Sequence, residues 1–248
     1  MAEIQVKQQV ITSADGNDIN MIFDTVECAR AQVIFAHGAG ADMSHEFMAE
    51  IVRLLNNAAI NVVRFNFPFM DKRALTGIKY PPDRMPKLLV CYQAVIEHVL
   101  AQQKSKALPL FIGGKSMGSR VAASLVAEPE VLNANLLSEI SAVFCLGYPF
   151  HPAKKPEKLR LEPLFTASKT ILIVQGERDA LGTKEEIISY QLPEHCTCVF
   201  LPDGDHSLKP RVKSGFTYQG HMQRAVKEIV DFIDQLIVAN KVEHKARL

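Results

Sequence analysis

Most of the strand-length apolar runs in this chain end in glycine or aspartate, and helical segments separate them. The runs are QVIFAHGAG, NVVRFNF, LPLFIGG, SAVFCLGYPF, TILIVQGERD and CTCVFLPDGDH. Runs that are apolar throughout, rather than alternating, belong to strands buried on both faces. Helical periodicity extends from about Ser44 to Asn57, where Phe47, Ile51, Leu54 and Leu55 share a face, and from Pro86 to Gln103, with Leu89, Tyr92, Val95, Ile96 and Val99 inward. Further helices are expected at SMGSRVAASLVAEPE, Glu185–Gln191 and Tyr218–Ala239. Strands alternating with helices imply a parallel sheet covered on both sides. Ahead of them, Ile4–Ile11 and Ile19–Val26 flank SADGND, which carries turn chemistry and predicts an antiparallel hairpin. The expectation is one α/β domain over residues 1–248, a mostly parallel sheet of about eight strands. The proline-rich FPFMDKRALTGIKYPPDR breaks all periodicity and reads as a loop.

Such a fold also serves nucleotide binding, so the glycine motifs must decide. HGAGADMSH lacks the third glycine of G-x-G-x-x-G, and a phosphate loop ending at Lys115-Ser116 would need glycine at position 109, which is Pro109. A net charge of +1 gives no global field to attract nucleic acid or a membrane surface. No window of eighteen uninterrupted apolar residues exists to span a membrane. MAEIQVKQQV lacks the basic-then-apolar pattern of a signal peptide. Five scattered cysteines read as reduced thiols, which points to the cytoplasm.

Gly114-Lys115-Ser116-Met117-Gly118 fits G-x-S-x-G. That pattern is short and weak alone. Here it joins the strand LPLFIGG to a helix, the sharp turn that exposes a nucleophilic serine. A serine needs a histidine base and an acid to orient it, in chain order acid then histidine. Asp179 follows the strand TILIVQG and His206 follows CTCVFLP. Both therefore stand at carboxyl ends of strands, where open α/β sheets place their ligands. Glu177 is the rival acid, and Asp203 and Asp205 read as turn residues. His45, His98, His195, His221 and His244 fall on helices or helix ends, and His151 precedes the acid. For a developing oxyanion, the Met117 N–H is one expected donor. The loop His37-Gly38-Ala39-Gly40 supplies the other, from Ala39 or alternatively Gly38, with His37 bracing the loop.

With these pieces in place, the sequence resembles the α/β-hydrolases, with dienelactone-hydrolase-like proportions and no cap domain. More narrowly, AHGAGADM, VVRFNFPFM, GGKSMGSRVAA, GYPFHPAKKPEKLR, VQGERDALGT and GDHSLKPR resemble a small hydrolase-like family. That family includes an animal testis-expressed protein and the hydrolase-like domain of a subunit of the NSL histone acetyltransferase complex. The resemblance implies the α/β-hydrolase fold and a triad of Ser116, Asp179 and His206; it implies no substrate. Dienelactone hydrolases carry a cysteine nucleophile where this chain has Ser116.

The expected activity is serine hydrolysis of a small-molecule ester or thioester, chemistry that requires no metal or organic cofactor. The alternative is a non-catalytic protein-binding module that keeps the fold. Basic residues stand near the expected site: Lys115 and Arg120 at the elbow, Arg73 and Arg84 in the proline-rich loop, and Lys209, Arg211 and Lys213 after His206. Lys115, Arg84 and Arg211 are candidates to hold an anionic substrate, against the alternative of a solvated charged surface. GYPFHPAKKPEKLRLEPLF occupies the lid position and is short, so Tyr148 and Phe150 either line an open site or pack at the strand end.

Overall fold

The apolar runs become six parallel strands, and the hairpin extends them into a sheet of eight in the order β1-β2-β4-β3-β5-β6-β7-β8. The computed structural model describes residues 3–103, 108–127 and 132–246. The hairpin is β1 (Ile4–Thr12) and β2 (Asp18–Val26), antiparallel to each other, with β2 antiparallel to β4 (Ile60–Phe65). The parallel set continues with β3 (Ala31–Ala36), β5 (Leu110–Lys115), β6 (Ile140–Leu146), β7 (Ile171–Gly176) and β8 (Cys196–Leu201).

Side chains alternate along each strand, so consecutive apolar residues enter opposite layers. Ile34, Ile112, Val143, Cys145 and Ile173 pack towards α3 (Met85–Gln102) and α4 (Met117–Ala127). Val33, Phe35, Phe111, Phe144 and Val174 pack towards α1 (Glu46–Asn57) and α8 (Tyr218–Ala246). This double burial is why the inner strands read as mostly apolar runs, whereas β8, at the sheet edge, buries only Leu201 fully. Leu89, Tyr92, Val95, Ile96 and Val99 of α3 are all buried, as their spacing predicts.

The structure departs from the sequence reading at the proline-rich segment. Its first half is a helix, α2 (Pro68–Thr76). Pro68 sits in the first turn, where a missing N–H costs nothing, and Gly77 ends the helix in the left-handed region at φ 69°. Only Phe69 and Met70 of α2 are buried, too few to leave a periodic stripe. Two more short helices went unpredicted, α5 (Ala134–Glu139) and α6 (Glu162–Phe165). The predicted α7 is confirmed at Lys184–Ser189, where Thr183 and Glu186 form a capping box. Helix α8 starts at the expected Tyr218 but runs on to Ala246. Residues 128–130, expected to end α4, lie outside the described residues.

The strand order positions the site. The chain passes from β3 outward to β4, then crosses back to β5 on the other side of β3. Loops leaving β3 and β5 therefore diverge and open a crevice at the carboxyl edge. Ala36 and Gly114, the pair at that edge, are in register.

Candidate active site

Ser116 is the single residue between β5 and α4, and its φ is +53°. A residue with a Cβ pays about 1–3 kcal/mol for that conformation. Three hydrogen bonds hold it there. The Ser116 N–H donates to the Leu146 carbonyl at 2.9 Å, and the Ser116 carbonyl accepts from the Arg120 N–H at 3.1 Å and the Ser119 hydroxyl at 2.6 Å. The flanking glycines are sterically required. A Cβ on Gly114 would lie 2.3 Å from the Gly118 carbonyl carbon, and one on Gly118 would lie 2.5 Å from the Ala36 carbonyl oxygen.

His206, in the loop after β8, places Nε2 2.8 Å from Ser116 Oγ and Nδ1 2.8 Å from Asp179 Oδ2. With Nδ1 protonated towards the carboxylate, Nε2 accepts from the serine hydroxyl. Asp179 is fully buried. Its Oδ1 accepts from the Leu181 N–H and its Oδ2 accepts a further bond from the Gln175 amide, both at 2.8 Å. The rival acids are engaged elsewhere. Glu177 pairs with Lys184 at 2.8 Å and accepts from the Asp203 N–H, and Asp205 accepts from the N–H groups of Ser207 and Lys209. The other histidines also have their own partners. His45 caps α1 through the Phe47 N–H, His98 meets Gln9, His151 meets Pro152, His195 meets Leu164 and His221 meets Leu208. The His244 side chain lies outside the described residues.

The β3–α1 loop is fastened to β4 and α2 at several points. The buried imidazole of His37 accepts from the Phe67 N–H at 3.0 Å and donates from Nδ1 to the Gly38 carbonyl at 2.6 Å. Burial pushes its pKa down to about 4, so it stays neutral and braces the loop. The Arg73 guanidinium donates to the carbonyls of Ala39 at 2.8 Å and Tyr80 at 2.6 Å. Arg64, in a buried pair with Asp24, donates to the Met43 carbonyl, while Asn66 accepts from the Met43 N–H. Among the described residues, the N–H groups of Gly38, Ala39 and Met117 make no hydrogen bond within the protein. Gly38 and Ala39 line the same cavity as Ser116.

That cavity measures about 500 Å³ and lies between the β3–α1 loop, the start of α1, the His206 loop and Tyr218. Of the four residues expected to meet substrate, only Lys115 lines it. Arg84 is exposed and lines a different cavity with Lys72, Tyr80 and Pro81. Arg211 pairs with Asp203, whose carboxyl it holds down to about 2. Tyr148 is fully buried and donates to the Arg160 carbonyl, while Phe150 packs on Tyr148 and Tyr190. Arg211 is taken up by an ion pair and Tyr148 by core packing, while Arg84 stands at the second cavity, none of which sequence position alone reveals. Lys209, exposed at the cavity, was named in the sequence only as one of several nearby cations.

Lys115 is buried and reaches across the end of β6 to donate to the His206 carbonyl. Its Nζ passes over Gly147, where a Cβ would lie 2.7 Å away. Desolvation lowers its pKa to about 8, against the attraction of Asp179 and Asp205. Gln175 is the site residue that the sequence reading missed. One signal was available, a lone amide in the strand ILIVQG two residues before the loop that carries the acid.

The fold and the elbow define a class, and comparison gives the family. The model of the alpha/beta hydrolase domain matches residues 29–234, so this chain belongs to the alpha/beta hydrolase family. Solved structures with the same fold include the esterase Pf2001 of Pyrococcus furiosus, 19% identical, with a TM-score of 0.69 over 94% of this chain and 93% of that one. Est1E of Butyrivibrio proteoclasticus is 15% identical, with a TM-score of 0.68 over 93% of this chain and 99% of its own. A dienelactone hydrolase of Anabaena variabilis is also 15% identical, with a TM-score of 0.67 over 94% and 98%.

Proposed function

We propose that this chain is a serine hydrolase of small esters or thioesters, acting through Ser116, His206 and Asp179. One observation carries the proposal: a continuous relay from serine hydroxyl to imidazole to buried carboxylate, with both links at 2.8 Å. In the proposed reaction Ser116 Oγ attacks the substrate carbonyl carbon as its proton passes to His206 Nε2. The tetrahedral oxyanion accepts hydrogen bonds from the N–H groups of Met117 and Ala39. Its collapse breaks the ester or thioester bond, and His206 returns the proton to the departing alcohol or thiol. Water then loses a proton to His206 and attacks the acyl-serine, releasing the carboxylic acid and restoring Ser116. Asp179 holds the imidazole tautomer throughout.

The proposal extends to a preference for anionic substrates. Support comes from Lys115 and Lys209, both on the cavity wall, with Glu46 as the opposing charge. We also propose kinship with the small testis-expressed and NSL-subunit family, on the motifs quoted above, and a cytoplasmic location, supported by five unpaired cysteines. Among the described residues no helix is long and apolar enough to cross a membrane.

Stopped-flow assay of paired esters, one neutral and one carrying a carboxylate on the acyl chain, tests this reading. A burst of leaving group equal to the enzyme concentration is expected, with the lower KM for the anionic ester. Linear release at the buffer rate from folded protein contradicts the catalytic reading; equal KM values contradict the charge preference.

A further inference from the structure

The Gln175 amide sits where stability alone gives it little reason to be. It is the last side chain before Gly176 in a strand otherwise made of Ile171, Leu172, Ile173 and Val174, and it is fully buried. Its Oε1 is buried with no partner among the described residues, an arrangement that costs stability. Its Nε2 faces three acceptors: the Tyr148 and Gly182 carbonyls, each at 3.2 Å, and Asp179 Oδ2 at 2.8 Å. The shortest of the three is the carboxylate oxygen that also accepts from His206 Nδ1. The two carbonyls belong to the segments that follow β6 and precede α7. One buried amide thus ties both loops to the acid of the relay.

We infer that Gln175 is a positioning residue that fixes the Asp179 carboxylate and tempers its pull on His206. A carboxylate oxygen shared between two N–H donors carries less free charge than one serving a single donor. Loss of the amide lets the carboxylate rotate and concentrates its charge on the imidazole. The first effect lowers turnover. The second favours protonated His206, which cannot accept the Ser116 proton, so the acid limb of the rate profile moves to higher pH. The titratable groups on neighbouring elements are Lys115 of β5, His151 facing Glu186 of α7, Glu177 after β7, and Asp203 and Asp205 beside His206. Replacing Gln175 removes none of these side chains, so the limb is read against the same set of neighbouring charges.

This role rests on the proposed serine chemistry, and the test separates the two. Wild type and Gln175→Met are compared by kcat/KM from pH 5 to 9 on a neutral ester, with thermal melts as the folding control. The expected result is a loss of about 10- to 100-fold, carried by kcat with KM unchanged. The acid limb is expected to rise by about half a pH unit or more. A loss with an unmoved limb, or no loss, overturns the role of Gln175 while leaving the wild-type chemistry intact. A wild type with no Ser116-dependent turnover overturns the serine reading and this role with it. If Gln175→Met does not fold, Gln175→Glu supplies the second variant. Its protonated carboxyl can still donate to Asp179, so activity is expected just above the acid limb, where His206 is neutral, and is lost at higher pH as that group ionises. A pH-independent loss in Gln175→Glu contradicts the inference. The low-field proton resonance of His206 Nδ1–H gives a readout free of turnover, expected to shift in the folded variant and contradictory if unmoved.

Discussion

The cavity at Ser116 and the cavity beneath the proline-rich segment have similar sizes, about 500 and 450 Å³, and both are lined by cations and aromatic rings. They differ in how those groups are held. At the first, Lys115 is buried and bonded to the His206 carbonyl, His206 links Ser116 to a buried acid, and the loop opposite is fastened by His37, Arg64, Asn66 and Arg73. At the second, Lys72 and Arg84 are exposed, Lys72 lies over the Tyr80 ring at 4.3 Å, and Lys87 meets Asp83 at 3.4 Å. Cations of the second kind are screened by water and lose little when rearranged. Preorganisation, rather than charge or concavity, separates the two regions.

Five substitutions bear on that difference. The largest effect is expected from His206→Ala, which should lower kcat on an activated ester by about 10⁴-fold or more while leaving the fold intact. Loss below tenfold in a burst assay breaks the claim that the first cavity is catalytic. Next is Lys115→Met, which frees the His206 carbonyl and should cost about 10- to 100-fold in kcat/KM. It also carries a pH signature. The folded state holds Lys115 near 8 against an ordinary 10.5, so between those values the unfolded chain binds more protons. Wild-type stability should therefore rise with pH across that window relative to Lys115→Met, and parallel chemical-denaturation curves at pH 7, 9 and 10.5 would contradict this.

Ser116→Gly sharpens the comparison differently. Glycine relieves the +53° backbone angle, so the variant should be inactive yet more stable by about 1 kcal/mol in urea melts. A destabilised variant argues against stored strain at the elbow. The smallest effects belong to Arg84→Ala and Arg211→Ala. Each should change kcat/KM by less than about twofold on neutral and anionic esters alike, because one residue lines the other cavity and the second is paired with Asp203. A selective loss on anionic esters would restore them to the site.

Strand ends were the most legible part of the sequence. Mostly apolar runs marked β3 to β8, and the residues just beyond three of them are the ones that meet: Ser116 after β5, Asp179 after β7 and His206 after β8. The elbow glycines were legible too, because the clash at Gly114 and Gly118 follows from the turn itself. Side-chain occupation was not legible. Arg73, Arg84 and Arg211 share a charge and sit in edge loops, but nothing in their order shows that Arg73 holds the Ala39 carbonyl, Arg211 holds Asp203 and Arg84 faces another cavity. Gln175 escaped for a related reason. A polar residue near a strand end is ordinary, and only the fold brings Asp179, Tyr148 and Gly182 around it. Helix α2 was hidden because two buried residues make no period.

The most direct measurement is labelling with a fluorophosphonate probe, with the adduct located by mass spectrometry in wild type, Ser116→Ala and His206→Ala. The account predicts a single adduct on Ser116, absent from Ser116→Ala and lost or greatly slowed in His206→Ala. Folded wild-type protein that takes no label, or labels equally in His206→Ala, would contradict the relay and shift the chain towards a binding role.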